Sequence, residues 1–392
     1  LEGRRKVLGD EHTQTLESME EMGTVLKALG RFDEAEAIRR ESLATYRRVY
    51  GDDDLGTLTS LNNLGMLLDE MGRADEALPM VEETLDGRRR VLGEDHPDTL
   101  VSINNVGYIL LALGRADEAE PYYRECLERS RRVLGEDHPE TLISINNLGY
   151  LFYTRGEMDQ AEPYFREAME RRRRVLGDDH PGVLNSINNF GMVLLAAGKL
   201  DEAERFVREA LEKRQRVLGE DHPTTLGSLI NLGSVLQRQN DFRAAEPVVL
   251  EAYRTSRQVL GNEHSTTLTA AGHVGAVYVG LGKDAEAVAL LAPLEDVARE
   301  SLPGSMASRF ALIERNLGIA RARLAKTPAE FAEAEANLLE AYTVIVELRG
   351  EDHDRARETA RDLADLHAAW DRVEPGTGHD AASRDWRVKG GG

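Results

Sequence analysis

Residues 93–135 read GEDHPDTLVSINNVGYILLALGRADEAEPYYRECLERSRRVLG. Leu100, Ile103, Gly107 and Leu110 recur at three- and four-residue spacing, which is one apolar stripe of an α-helix. Gly114-Arg115-Ala116-Asp117 is a turn, and Ala119, Tyr123, Cys126 and Leu127 lay a second stripe behind it. Gly135 is expected to end that helix as a left-handed C-terminal cap. Pro139 then stands where a first helical turn tolerates proline. Gly107 and Ala119 are small, so the two helices can approach closely. Gly107 costs about 1 kcal/mol of helix propensity, which that approach has to offset.

The same unit repeats every 42 residues. Gly9, Gly51, Gly93, Gly135, Gly177, Gly219 and Gly261 mark its end, Gly23 to Gly275 its first helix, and Ala35 to Ala287 its second. Three markers in phase are a repeat architecture. One hairpin cannot bury its apolar stripe alone, so neighbours stack into a solenoid with a concave and a convex side. The phase slips later: Gly304 follows Gly261 by 43 residues and Gly350 follows Gly304 by 46. The expected division is 1–9 as the tail of a preceding repeat and 10–303 as seven regular hairpins. A degenerate eighth at 304–350 and capping helices with a tail at 351–392 complete it. Trp370 and Trp386 are placed to cover the last hairpin's open face. Because residues 1–9 match 85–93, the end of a second helix, the chain is expected to continue upstream.

Forty-nine Lys and Arg against 70 Asp and Glu give −21, a balance that repels nucleic acid. No apolar run is long enough to span a bilayer and no signal peptide is visible, so cytoplasm is the expected location. Cys126 is the single cysteine, which excludes an internal disulfide.

Asn146-Asn147-Leu148-Gly149, Ala161 to Ala168 (AEPYFREA) and Arg131 to Pro139 (RRVLGEDHP) resemble the tetratricopeptide repeat, in the 42-residue variety of kinesin light chains. The resemblance covers about residues 1–303 well and the rest weakly. It implies an all-α fold: an α-solenoid of antiparallel helix hairpins forming a right-handed superhelix. Similar arrays occur in bacterial signalling proteins, sometimes fused to kinase or nucleotidase domains. No heptad segment is present, so a motor role does not follow.

The first helix carries a second stripe: Val101, Asn104, Tyr108 and Leu111, then Ile143, Asn146, Tyr150 and Tyr153, then Asn185, Asn188, Met192 and Leu195. It reads either as a peptide groove or as the packing face for the next hairpin. Asparagine is a poor helix former, so Asn62, Asn104, Asn146 and Asn188 need a reason. The resemblance implies hydrogen bonds to the backbone of an extended peptide, with Asn63, Asn105, Asn147, Asn189 and Asn231 bridging neighbouring helices instead. Glu20, Ile230 and Gly272 break the pattern.

Arg48, Arg90, Arg132, Arg174 and Arg216 close the second helices. They are read as a ladder for the carboxylates of an acidic peptide or as partners of Asp86, Glu128, Glu170 and Glu212, four residues earlier. Arg48, preceded by Ala44, reads as the least paired. His96, His138, His180 and His222 recur in Asp-His-Pro connectors, one per unit, which suits a structural connector rather than a metal site.

No phosphate loop, His-Glu-x-x-His, Gly-x-Ser-x-Gly or Cys-x-x-Cys motif is present, so no enzyme, metal or cofactor is expected. The preferred function is a protein-interaction scaffold that binds a peptide segment of a partner along the concave groove. Its candidate residues are Asn62, Asn104, Asn146, Asn188, Tyr108, Tyr150, Tyr153, Met192, Arg48, Arg90, Arg132 and Arg174. One alternative is a regulatory or sensor arm of a larger signalling protein with an upstream catalytic domain. Another is self-association through an uncapped N-terminal hairpin.

Overall fold

A computed structural model describes residues 1–302 and 306–391; Gly304, and with it the expected boundary at 303/304, lies outside them. Among the described residues the regular elements are all helices, joined by short turns, without a strand. The fold is an α-solenoid of antiparallel helix hairpins. It divides into two compact units, Leu1–Ser186 and Ile187–Gly392.

In the first unit a short α1 (Glu2–Leu8) precedes four hairpins: α2 (Thr13–Ala28) with α3 (Phe32–Tyr50), and α4 (Leu55–Glu70) with α5 (Ala74–Leu92). Next come α6 (Pro97–Ala112) with α7 (Ala116–Leu134), and α8 (Pro139–Thr154) with α9 (Met158–Leu176). Helix α10 (Pro181–Ala196) runs through the division. The second unit contains α11 (Leu200–Leu218), α12 (Pro223–Arg238), α13 (Phe242–Leu260), α14 (Ser265–Gly280), α15 (Asp284–Leu291), α16 (Glu295–Ser301), α17 (Ala307–Leu324), α18 (Pro328–Arg349), α19 (Asp354–Val373) and α20 (His379–Lys389).

The small-residue pairs do the work expected of them. Ala35, Ala77, Ala119 and Ala161 are completely buried, as are Ala203, Ala245 and Ala287. A Cβ on Gly107 would stand 3.0 Å from the Tyr123 ring, and one on Gly191 would stand 2.7 Å from Val207 Cγ2. Neighbouring hairpins close over each other: Leu67 packs with Leu26 and Ala35 of the hairpin before. Burying one such leucine fully is worth about 2–3 kcal/mol.

The glycines divide differently from expectation. The left-handed C-cap lies inside each hairpin, at Gly30, Gly72, Gly114, Gly156, Gly198 and Gly282 (φ +70 to +76), with Asn240 at φ +61 in the sixth copy. There the amide of Arg115 donates to the Leu110 carbonyl and that of Gly114 to Leu111, the Schellman pair. Gly135, expected as that cap, has φ +92 but ψ 165. That mirror-extended conformation is open essentially to glycine alone, and it sends the chain straight into the connector.

Each connector is then clamped. Thr99 Oγ1 donates to the Gly93 carbonyl at 2.8 Å, and Thr141 does the same to Gly135 at 2.7 Å. The connector histidines are N-caps. The Nδ1 atoms of His12, His96, His138 and His222 accept the backbone amide two residues on. Asp54 takes this place before α4, accepting from Gly56 and Thr57.

Late in the chain the second helix of the seventh hairpin breaks at Ala292–Leu294, a 3-10 turn containing Pro293, between α15 and α16. At the end, Trp370 stacks between Phe331 (5.6 Å) and His379 (3.9 Å), and Trp386 meets Tyr342 edge-on at 5.0 Å. Helix α20 thereby covers the face of α18 and α19, which is the role expected of both tryptophans. Among the described residues no helix is long and apolar enough to cross a membrane.

Candidate functional site

Once the stripe through Leu100, Ile103 and Leu110 is buried, α6 still presents Tyr108, 44% exposed. Helix α8 presents Ile143 and Tyr150, 39% and 49% exposed. Val101, Leu111 and Tyr153 are half-buried beside them. The Tyr150 and Tyr153 rings stack, with centroids 6.2 Å apart and an interplanar angle of 18°. These residues share one helical face because they are three or four positions apart. The stripe is therefore neither fully exposed nor consumed by hairpin stacking.

Asparagines of neighbouring first helices form a ladder, although Asn189, expected to bridge as well, is exposed. Asn105 Nδ2 donates to Asn62 Oδ1 at 2.9 Å, Asn147 Nδ2 to Asn104 Oδ1 at 2.7 Å, and, in the second unit, Asn231 Nδ2 to Asn188 Oδ1 at 3.1 Å. The first asparagine accepts and the second asparagine of the next hairpin donates. The amide NH2 groups of Asn62 and Asn104 are left on the half-buried face, and Asn146 is half-buried at the same position. Asn188 is buried, 7% exposed, and accepts from Ser228 as well. Met192 is half-buried. Glu20, which breaks the sequence pattern, performs the same function: its carboxylate accepts from Ser60 and Asn63.

The arginines at the ends of the second helices are all engaged, and not by the residues four positions earlier. Arg48 pairs with Glu11, Arg90 with Asp53, Arg132 with Asp95 and Arg174 with Asp137, each at 2.6 Å. Every partner lies 37 residues upstream, in the connector of the preceding hairpin. Arg48 is thus as well paired as the others, contrary to the sequence reading, because Glu11 rather than position 44 supplies its carboxylate. Asp95 is held below the usual carboxylate range by Arg129 and Arg132, and Asp137 by Arg174 and Arg171. These pairs are exposed, so each contributes little on its own.

Two features escaped the sequence reading. Asp69, at the end of α4, is half-buried and lies beside Tyr108 of the next first helix. Burial raises the Asp69 carboxyl, and the neighbouring Glu70 raises it further. Burial likewise raises the Tyr108 hydroxyl. The second feature is a set of buried guanidinium groups. Arg88 donates to Ser102 Oγ at 2.9 Å and to the Asp98 carbonyl at 3.1 Å, tying a second helix to the next first helix. Arg172 meets Ser186 and Arg214 meets Ser228 in the same way. Burial lowers Arg88 and Arg172, and brings Arg214 to about 10. The available signal was an arginine followed fourteen residues later by a serine, in phase with the repeat. For Asp69 the available signal was the repeat register, since it stands 42 residues before Leu111 and 84 before Tyr153 of the stripe.

Cys126 is buried, with Sγ 3.2 Å from Ser144 Oγ and 3.3 Å from the Leu100 carbonyl. Burial raises its thiol, so it is a packing residue and a poor nucleophile. Among the described residues no group of three or more His, Cys, Asp or Glu side chains is placed to hold a metal ion.

A search of curated protein sequences returns no match. Three solved structures are similar to this chain. BtubC (BKLC) from P. vanneervenii is 24% identical over 59% of this chain and 92% of its own, with a TM-score of 0.52. A Rap protein complexed with competence and sporulation factor is 15% identical over 92% of this chain and 99% of its own, TM-score 0.53. The nearly identical TPR-like repeats of a kinesin light chain candidate from Podosopora anserina are 20% identical over 51% and 95%, TM-score 0.48. The Tetratricopeptide repeat model matches residues 14–90, 70–115, 98–173, 145–215 and 185–258. Those matches follow the 42-residue hairpins seen in the fold, and the chain belongs to the tetratricopeptide repeat family.

Proposed function

We propose that this protein-interaction scaffold binds an extended segment of a partner along the first-helix face of Leu1–Ser186. The observation that carries the proposal is the row of Tyr108, Ile143 and Tyr150, large apolar groups left exposed on consecutive hairpins. Exposed aromatic groups beside polar donors are what a recognition surface needs. The free NH2 groups of Asn62 and Asn104, with Asn146 in register, donate to peptide carbonyls. Tyr108, Tyr150 and Tyr153 receive side chains. Main-chain bonding with side-chain pockets is an ordinary mode for extended peptides. Met192 offers the corresponding position in the second unit, whereas Asn188, buried against Ser228 and Asn231, does not. In this reading Arg48, Arg90, Arg132 and Arg174 brace connectors rather than hold the guest. The Rap protein of similar fold, known with competence and sporulation factor, fits the same kind of use.

The test replaces Tyr108, Tyr150 and Asn146 together by alanine. Proteins cross-linked to the wild type in native lysate are expected to be lost, with helicity at 222 nm unchanged. An unchanged set of captured proteins refutes the groove.

A further inference from the structure

Charge separates the two helices of each hairpin. Helices α4, α6, α8 and α10 contain no lysine or arginine at all, whereas the second helices α3, α5, α7 and α9 are rich in arginine. Among the first helices wholly within Leu1–Ser186 the one basic residue is Lys27, and Glu70 holds it at 2.7 Å. The guanidinium groups beneath this face are closed off. Arg39 is buried, bonding Thr24 and the Asn63 carbonyl, and Arg88 is buried against Ser102 and Thr59. The arginines nearest the connectors are neutralised by the pairs described above. Asp69 is different: it stands beside Tyr108, at the repeat position held by Leu111 and Tyr153 of the same stripe, and among the described residues no cation pairs with it.

Resting on the groove reading, we infer that the guest is a cationic segment, with a Lys or Arg at Asp69. Its aliphatic stem crosses the ring of Tyr108, and its charge meets the carboxylate. A cation over an aromatic face next to a carboxylate is favoured twice, by the ring quadrupole and by a charge-assisted bond. Apolar side chains of the same segment then lie on Ile143, Tyr150 and Tyr153. First helices of neighbouring hairpins pack roughly 10 Å apart, about three residues of extended chain. The recognised pattern is therefore one basic residue with an apolar residue about three positions away. An acidic segment meets carboxylates on this face and no available cation.

Two equimolar pools of fluorescein-labelled nonapeptides test this by anisotropy on the full chain. The first pool has Lys or Arg at one position and Leu, Met, Phe or Tyr three positions away on either side, with Gly and Ser elsewhere. The second has Glu or Asp in place of the basic residue. The cationic pool is expected to bind, about tenfold more weakly to Asp69→Asn and to Tyr108→Ala, and more weakly in 300 mM than in 50 mM salt. Circular dichroism of each variant confirms that it is folded. If the acidic pool binds and Tyr150→Ala abolishes that binding, the groove stands and the charge inference falls. Cationic binding that Asp69→Asn leaves unchanged reflects only the net charge of −21 and also overturns the inference. If neither pool binds, the groove reading fails and takes this one with it.

Discussion

Gly233→Ala tests the close approach that holds each hairpin together. A Cβ at this position would lie 2.3 Å from Val249 Cγ1, more than 1 Å inside ordinary carbon contact. Val249 is completely buried, and a helical valine occupies one χ1 rotamer about nine times in ten. The methyl therefore cannot turn aside, and α12 and α13 must separate. Helix propensity alone favours the alanine by about 1 kcal/mol. Overpacking costs about 1–3 kcal/mol, so the net loss is about 0–2 kcal/mol. Val249→Ala alone removes buried methyl groups at about 2–3 kcal/mol, including the cavity. In the double variant the new methyl occupies the vacated space, so the double loss is expected to fall about 1–2 kcal/mol short of the sum. Gly65→Ala is the control, since its nearest neighbour is Val81 Cγ1 at 3.1 Å. Stacked repeats unfold in parts, so urea titration should be joined by hydrogen exchange on peptides from α12 and α13. A Gly233→Ala protein more stable by the full propensity gain, or a strictly additive double variant, refutes the packing argument.

Burial, helped by Glu295 and Glu340 and opposed by the bond to Asn337, raises Glu314 from its ordinary 4.5 to about 7. The folded state thus holds its proton more tightly. The associated stability is complete below pH 4.5 and is lost as pH rises through about 7, a change of roughly 3 kcal/mol. Glu314→Gln should flatten that slope and stabilise the protein at pH 8; an unchanged pH dependence of the melting temperature contradicts the assignment. His96→Ala should cost about 1 kcal/mol through loss of the cap on α6, whereas His96→Asp, copying Asp54, should retain most of it in urea denaturation. Asn147→Ala breaks the bond to Asn104 and should cost about 0.5–1.5 kcal/mol, seen as faster hydrogen exchange in α8.

Much of the architecture was legible because it is written locally. Leu100, Ile103 and Leu110 lie on one face whatever surrounds them, and Gly107 against Tyr123 needs only the return of the same chain sixteen residues later. The cap was misassigned at Gly135 because a glycine after a helix looks the same whether its ψ closes a turn or extends the chain. The histidines stood at the right positions in the reading, but their role as acceptors for the next helix emerged only with the folded connector.

The candidate site was half legible. Tyr108 and Tyr150 follow from helical spacing. Which polar groups remain available to a guest does not, because that depends on contacts between hairpins. Arg132 faces Asp95 rather than Glu128, Asn147 takes the carbonyl of Asn104, and Asp69 meets Tyr108 from the preceding hairpin. The 42-residue period by itself determined the paired helices and the face each one buries, since three- and four-residue spacing is a property of a single helix. Only tertiary structure decided which charges and amides are spent, since residues 37–43 positions apart meet through the stacking of whole hairpins.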